Sequence, residues 1–133
     1  MDFILTEEIT LNTDRFIPGF GVSRLSLLSF KILESSAPSN TTGFTVPVDS
    51  IQSVFNRTIG IQWFNRTLLQ TGVVPNVRLF LPPFRVNYAP SVENIARNVF
   101  IAFSPVISQM FGSRLLSVTA RDQSFSATFP ADK

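Results

Sequence analysis

Apolar and polar residues alternate from the start of the chain. Phe3, Leu5, Ile9 and Leu11 fall on one parity, and Thr6, Glu8, Thr10 and Asn12 on the other, with Glu7 the one break. A period of two marks a strand with one face buried, and predicts an edge strand over Phe3–Asn12. Pro18-Gly19-Phe20-Gly21 reads as a turn. A second strand is predicted from Val22 to Ser35. There Leu28, Phe30 and Ile32 share one parity, while Leu25 and Leu27 take the other. Either both faces are covered, or a bulge near Leu27 shifts the register by one. Residues 35–43 are rich in Ser, Pro, Asn and Thr and predict an exposed loop. Phe44–Val48 predicts a short strand, with Pro47 favouring a sheet edge.

The middle of the chain changes period. Asp49 is placed to cap a short helix over Ser50–Asn56, with Ile51, Val54 and Phe55 at helical spacing. Ile59, Ile61 and Trp63 then return to strand spacing. The tetrapeptide Phe-Asn-Arg-Thr occurs at Phe55–Thr58 and again at Phe64–Thr67. A nine-residue offset puts Arg57 and Arg66 on opposite faces of any continuous helix or strand. Only a turn, or a switch from helix to strand, would align the copies, and the repeat reads as coincidence. Gly72–Asn76 predicts a turn. Val77, Leu79 and Leu81, then Phe84, Val86 and Tyr88, predict two strands, or one strand bent at Pro82-Pro83.

The strongest helical pattern runs from Ser91 to Phe111. Val92, Ile95, Ala96, Val99, Phe103, Val106, Ile107 and Met110 share a face, Ser91 is a good N-cap, and Gly112 is a stop. Pro105 predicts a kink, or a restart with Ser104 as cap. Leu116, Val118 and Ala120, followed by Phe125, Ala127 and Phe129, predict a terminal hairpin turning at Arg121–Gln123. The links between strands are short, which favours antiparallel pairing. The expected fold is α+β and mostly β. It is a single domain over residues 1–133, an antiparallel sheet or small sandwich with one principal, Pro-kinked helix near 91–111 packed on it.

Composition narrows the chemistry. The 133 residues include no histidine and no cysteine. That removes the neutral-pH imidazole base, the Ser-His-Asp arrangement, thiol nucleophiles, and imidazole or thiolate metal ligands. No glycine-rich phosphate loop occurs. Neither a cofactor nor a metal site is expected, and no residue is assigned a catalytic role. The chain opens without a basic, apolar leader, and no stretch is long and apolar enough to span a bilayer. A membrane-surface role for the 91–111 helix is not expected, because its polar face offers only Arg97.

Charge is sparse, at 15% of residues, against about 25% for an ordinary domain. Nine of the eleven basic residues are arginine, and there are fourteen phenylalanines. Little charge, many aromatics and arginine over lysine are features of buried interfaces. The reading drawn from them is a non-enzymatic structural subunit of a larger assembly, such as a capsid, vertex or tail component of a virion. Its partners would be other protein subunits, in a homo-oligomer or a multi-protein shell. Arg57, Arg66, Arg78, Phe80 and Arg85 are the expected interaction residues. The alternative is a small module binding single-stranded nucleic acid through two arginine and aromatic clusters, Arg57, Trp63, Phe64 and Arg66, and Arg78, Phe80, Phe84 and Arg85. A third reading is a carrier of a small apolar ligand between helix and sheet.

Overall fold

The computed structural model describes residues 3–34 and 48–131. A long hairpin forms its spine, with β1 at Phe3–Ile17 and β2 at Gly21–Glu34. The turn between them holds Gly19 and Gly21 at φ of 85° and 84°, a left-handed backbone that glycine adopts without cost from a Cβ. The parity change in β2 is a bulge. Leu25 and Leu28 are both fully buried, and the pairing with the later strand Arg114–Asp122 shifts between Leu25 and Leu27, where β2 carries the extra residue.

After residues 35–47, helix α1 (Val48–Phe55) runs into a π-helical turn at Asn56–Gly60 and a last short turn, α2 (Ile61–Trp63). The strand expected at Ile59, Ile61 and Trp63 is therefore helix. The π turn inserts a residue, so the buried positions step from Phe55 to Gly60 to Trp63 and blur the helical period. The loop expected at 35–43 lies outside the described residues. So does the strand expected at 44–48, except for Val48, which opens α1. The two Phe-Asn-Arg-Thr copies straddle a switch from helix to strand. Asn65, at φ 60°, makes the bend, and Asn12 of β1 holds it by hydrogen bonds to the Asn65 side chain (2.9 Å) and backbone N–H (3.2 Å).

β3 (Thr67–Gln70) and β4 (Pro83–Val86) follow, with residues 71–82 between them. The sequence pattern did not reveal β3, and the expected strand at Val77–Leu81 is loop. Helix α3 (Val92–Phe111) matches the expectation at both ends. The Ser91 hydroxyl accepts from the Asn94 N–H at 3.2 Å, and Gly112 closes the helix at φ 66°. The helix continues through Pro105 as one element. β5 (Arg114–Asp122) and β6 (Ser126–Phe129) form the expected hairpin.

The six strands lie in the order β4-β3-β1-β2-β5-β6. The four strands from β1 to β6 pair antiparallel, as the pattern implies. β3 and β4 instead add in parallel. Parallel neighbours need a long crossover, and residues 71–82 supply it. The fold is thus α+β and mostly β, with helices on one face of the sheet. Phe30 of β2 packs against Phe103 of α3 and Phe55 of α1, with ring centroids 5.2 and 6.1 Å apart. This phenylalanine cluster is the centre of the core.

Candidate functional site

Arg15 lies near the end of β1, and Asp122 ends β5. β2 separates the two strands, so the arginine side chain crosses over it to reach the carboxylate. Nη2 of Arg15 donates to Oδ2 of Asp122, and Nη1 donates to the Pro90 carbonyl at 3.1 Å. Oδ1 of Asp122 accepts from the backbone N–H groups of Ser124 (2.7 Å) and Phe125 (2.6 Å). One ion pair thereby fastens the end of β1, the β5–β6 turn and the residue preceding the α3 cap. Both side chains are buried, and Nε of Arg15 is buried with no partner. Burial alone would push the Asp122 carboxyl up. The two backbone N–H groups and the Arg15 guanidinium outweigh it and hold the group below its ordinary 3.8.

The same three segments line an open cleft of about 480 Å³. Arg15 and Asp122 line it with Ser23, Ser91, Glu93 and Ser124, and Phe20 and Phe125 are the aromatic rings at it. Both phenylalanines are highly exposed, at 89% and 68%. A large aromatic ring left in water costs hydrophobic free energy that a ligand can recover. Backbone N–H groups at the first turn of α3 and the serine hydroxyls add directional donors. The site therefore offers exposed aromatic rings beside polar groups of mixed charge. That combination suits a planar molecule with a hydrogen-bonding edge.

Two smaller hollows flank the helices. One, of about 420 Å³, lies by the C-terminal half of α3 and is lined by Ser104, Ser108, Ser113 and Arg114. Next to it the Ser113 hydroxyl donates to the buried Glu34 carboxylate. The other, of about 200 Å³, is bounded by Trp63, Tyr88 and Asn98. Burial there pushes the Tyr88 hydroxyl up to about 12. Among the described residues no cluster of three or more carboxylate, imidazole or thiol groups is placed to hold a metal ion. No helix among them is long and apolar enough to cross a membrane.

The residues expected to make contacts lie elsewhere. Arg57 is exposed on the π-helical turn, its Nε donating to the Ser53 carbonyl at 3.4 Å. Arg66 is exposed ahead of β3, and its carbonyl accepts from the Asp14 N–H at 3.0 Å. Arg78 and Phe80 are exposed on the 71–82 loop, and Arg85 is exposed on β4. The aromatics expected beside Arg57 and Arg66 are not a surface platform. Trp63 is buried, and Phe64 is half-buried with its ring against Phe55. The cleft itself was missed. Asp122 reads as a turn residue or an arginine partner, but its partner lies 107 residues away, and no local spacing reveals such a pair.

No protein-family profile matches the chain, and no curated protein is significantly similar to it in sequence. Solved structures do share its fold. An uncharacterised protein from Wolinella succinogenes superposes with a TM-score of 0.72 at 11% identity, over 96% of this chain and 97% of that one. Two structures of 6-pyruvoyltetrahydropterin synthase from Plasmodium vivax, each with a catalytic glutamate replaced, superpose at TM-scores of 0.61 and 0.62. Each is 14% identical and covers 96% of both chains. The fold thus resembles that of an enzyme. This corrects the expectation of a non-enzymatic structural subunit of a capsid, vertex or tail, which rested on composition alone.

Proposed function

We propose that this protein binds a planar, polar heteroaromatic compound of the pterin kind in the cleft between the β1–β2 turn, the β5–β6 turn and the start of α3. The observation that carries this reading is the buried Arg15–Asp122 pair at a cleft where Phe20 and Phe125 stand exposed. The class of compound is supported by the likeness to 6-pyruvoyltetrahydropterin synthase across nearly the whole of both chains. A fused ring would cover the phenylalanine faces, while its amide-like edge would meet the serine hydroxyls and the α3 backbone donors. Both oxygens of Asp122 are engaged by Arg15 and the backbone N–H groups of Ser124 and Phe125, so the carboxylate of the cleft left to exchange a proton with the ligand is Glu93.

Calorimetric titration with neopterin tests the reading. Saturable binding that weakens in both Phe20→Ala and Phe125→Ala is the expected result. Both side chains are exposed, so the variants should melt as the parent does. Absence of binding, or binding indifferent to both substitutions, overturns the proposal.

A further inference from the structure

Between Asp49 and Glu93 the chain carries no acidic residue and four arginines: Arg57, Arg66, Arg78 and Arg85. All four are exposed, and none is ion-paired to a described carboxylate. Within this stretch the 71–82 loop presents Val74 and Phe80 almost entirely to solvent, at 84% and 94%, with Val77 about half exposed. We infer that this loop docks the protein on an anionic lipid surface, with Val74, Val77 and Phe80 entering the interface and Arg66 and Arg78 meeting the phosphate groups. The inference is independent of the cleft.

The loop is held firmly at both ends. Thr71 donates to the Val86 carbonyl from its N–H (2.8 Å) and its hydroxyl (3.0 Å). Thr67 grips the far end, its hydroxyl on the Leu81 carbonyl and its N–H on the Pro82 carbonyl, both at 2.9 Å. Nη1 of Arg85 reaches back to the carbonyls of Gln70 and Val73. These bonds also fix what lies beside what. Phe80 adjoins the Leu81–Pro82 segment that Thr67 holds, next to Arg66. Val74 follows the Val73 carbonyl that Arg85 grips. Arg78 lies between Val77 and Phe80 in the chain. Each apolar residue is therefore close to an arginine, in the chain or across these backbone hydrogen bonds, with nothing acidic between them in sequence.

Two features favour lipid as the occupant. The charge is of one sign, so the partner must be anionic, and arginine pairs well with phosphate oxygens. The apolar side chains are also exposed, and none of them lines the cleft or either smaller hollow. A fluid interface accepts separate protruding side chains, whereas a folded partner would need a matched pocket for each. Apolar insertion combined with cationic contact is the usual basis of binding to anionic membranes. The sequence pointed away from membranes because it weighed the 91–111 helix, whose apolar face is indeed spent on the core. The docking element is a loop.

Sedimentation of the full chain with phosphatidylcholine vesicles, with and without phosphatidylserine, tests the inference. Binding is expected only with phosphatidylserine present and should fall as salt rises. Arg78→Gln should weaken it about fivefold, the factor implied by losing one surface cation. Phe80→Ser should weaken it at least as much, and Arg97→Gln, on the exposed face of α3, should leave it unchanged. All three positions are exposed, and unaltered melting curves will confirm that the variants fold. No binding to phosphatidylserine vesicles overturns the inference, as does equal binding without the anionic lipid or binding indifferent to both loop substitutions. A preference for single-stranded nucleic acid, with vesicles ignored, would also overturn it.

Discussion

Arg15 and Asp122 meet across the width of an intervening strand, and the contact joins β1, β5 and the start of α3. Removing one member of a buried pair strands the other charge, at a cost of about 3–5 kcal/mol. Asp122→Asn should therefore lower unfolding free energy by about that amount in urea denaturation. Arg15→Met combined with Asp122→Asn should cost less than the sum of the single changes. The pH dependence follows from the direction of the shift. The folded carboxyl titrates below its ordinary 3.8, so its stabilising contribution is fully present above that value. It is lost as pH falls through the lower folded value. Acid unfolding of Asp122→Asn should accordingly be shallower below about pH 4 than that of the parent.

Tyr88 gives a second pH signature, at the opposite end of the scale. It is the one tyrosine in the chain, so tyrosinate absorbance reports a single site. Burial raises its hydroxyl from 10.0 to about 12. Between those values the unfolded chain loses a proton that the folded chain keeps, so stability should decline as pH rises from about 10 toward 12. Spectrophotometric titration of the native protein should give a midpoint near 12, and titration in denaturant one near 10. A native midpoint near 10 would mean that the phenol is in water.

The two ends of α3 make separate predictions. Ser91→Ala removes the acceptor of the Asn94 N–H and should cost about 1 kcal/mol. Gly112→Ala places a Cβ in a left-handed backbone at φ 66°, which costs roughly 1–2 kcal/mol. Nothing lies within 4 Å of that Cβ, so the penalty is conformational and not steric. Gly112→Asn should recover part of it, since asparagine tolerates this region better. Thermal melts of the three variants rank the effects.

These two ends were legible because their signals are local. A serine cap, a repeating apolar face and a glycine stop all fall within one element, and the bulge in β2 showed as a parity change between Leu25 and Leu28. The Ile59–Trp63 segment misled because its alternation is produced by a π turn, which shifts the helical period by one residue. β3 escaped notice because Leu68 and Leu69 are adjacent and both buried, which erases alternation. Arg57, Arg66, Arg78, Phe80 and Arg85 stood out as arginines and an aromatic, and all five are exposed. The cleft was not legible, since Arg15, Ser91 and Asp122 converge only after the sheet, the α3 cap and the hairpin have formed.

Gly60 ends the π turn at a point where its neighbours leave no room for a side chain. A Cβ built there would lie 2.8 Å from Cε2 of Phe64 and 3.2 Å from the Phe55 carbonyl oxygen. Replacing glycine by alanine inside a helix ordinarily gains up to about 1 kcal/mol. Here the added methyl must displace the Phe64 ring, which packs edge-on against Phe55 with centroids 6.1 Å apart. Overpacking of this kind costs about 1–3 kcal/mol, so Gly60→Ala should be destabilising in spite of its helical setting. The cause can be isolated, because Phe64→Leu shortens the group that the methyl strikes. Gly60→Ala should therefore cost less in a Phe64→Leu background than in the parent, a coupling that urea denaturation of the four proteins measures. A stabilising Gly60→Ala would place Phe64 away from the turn and remove the reason for glycine at this position.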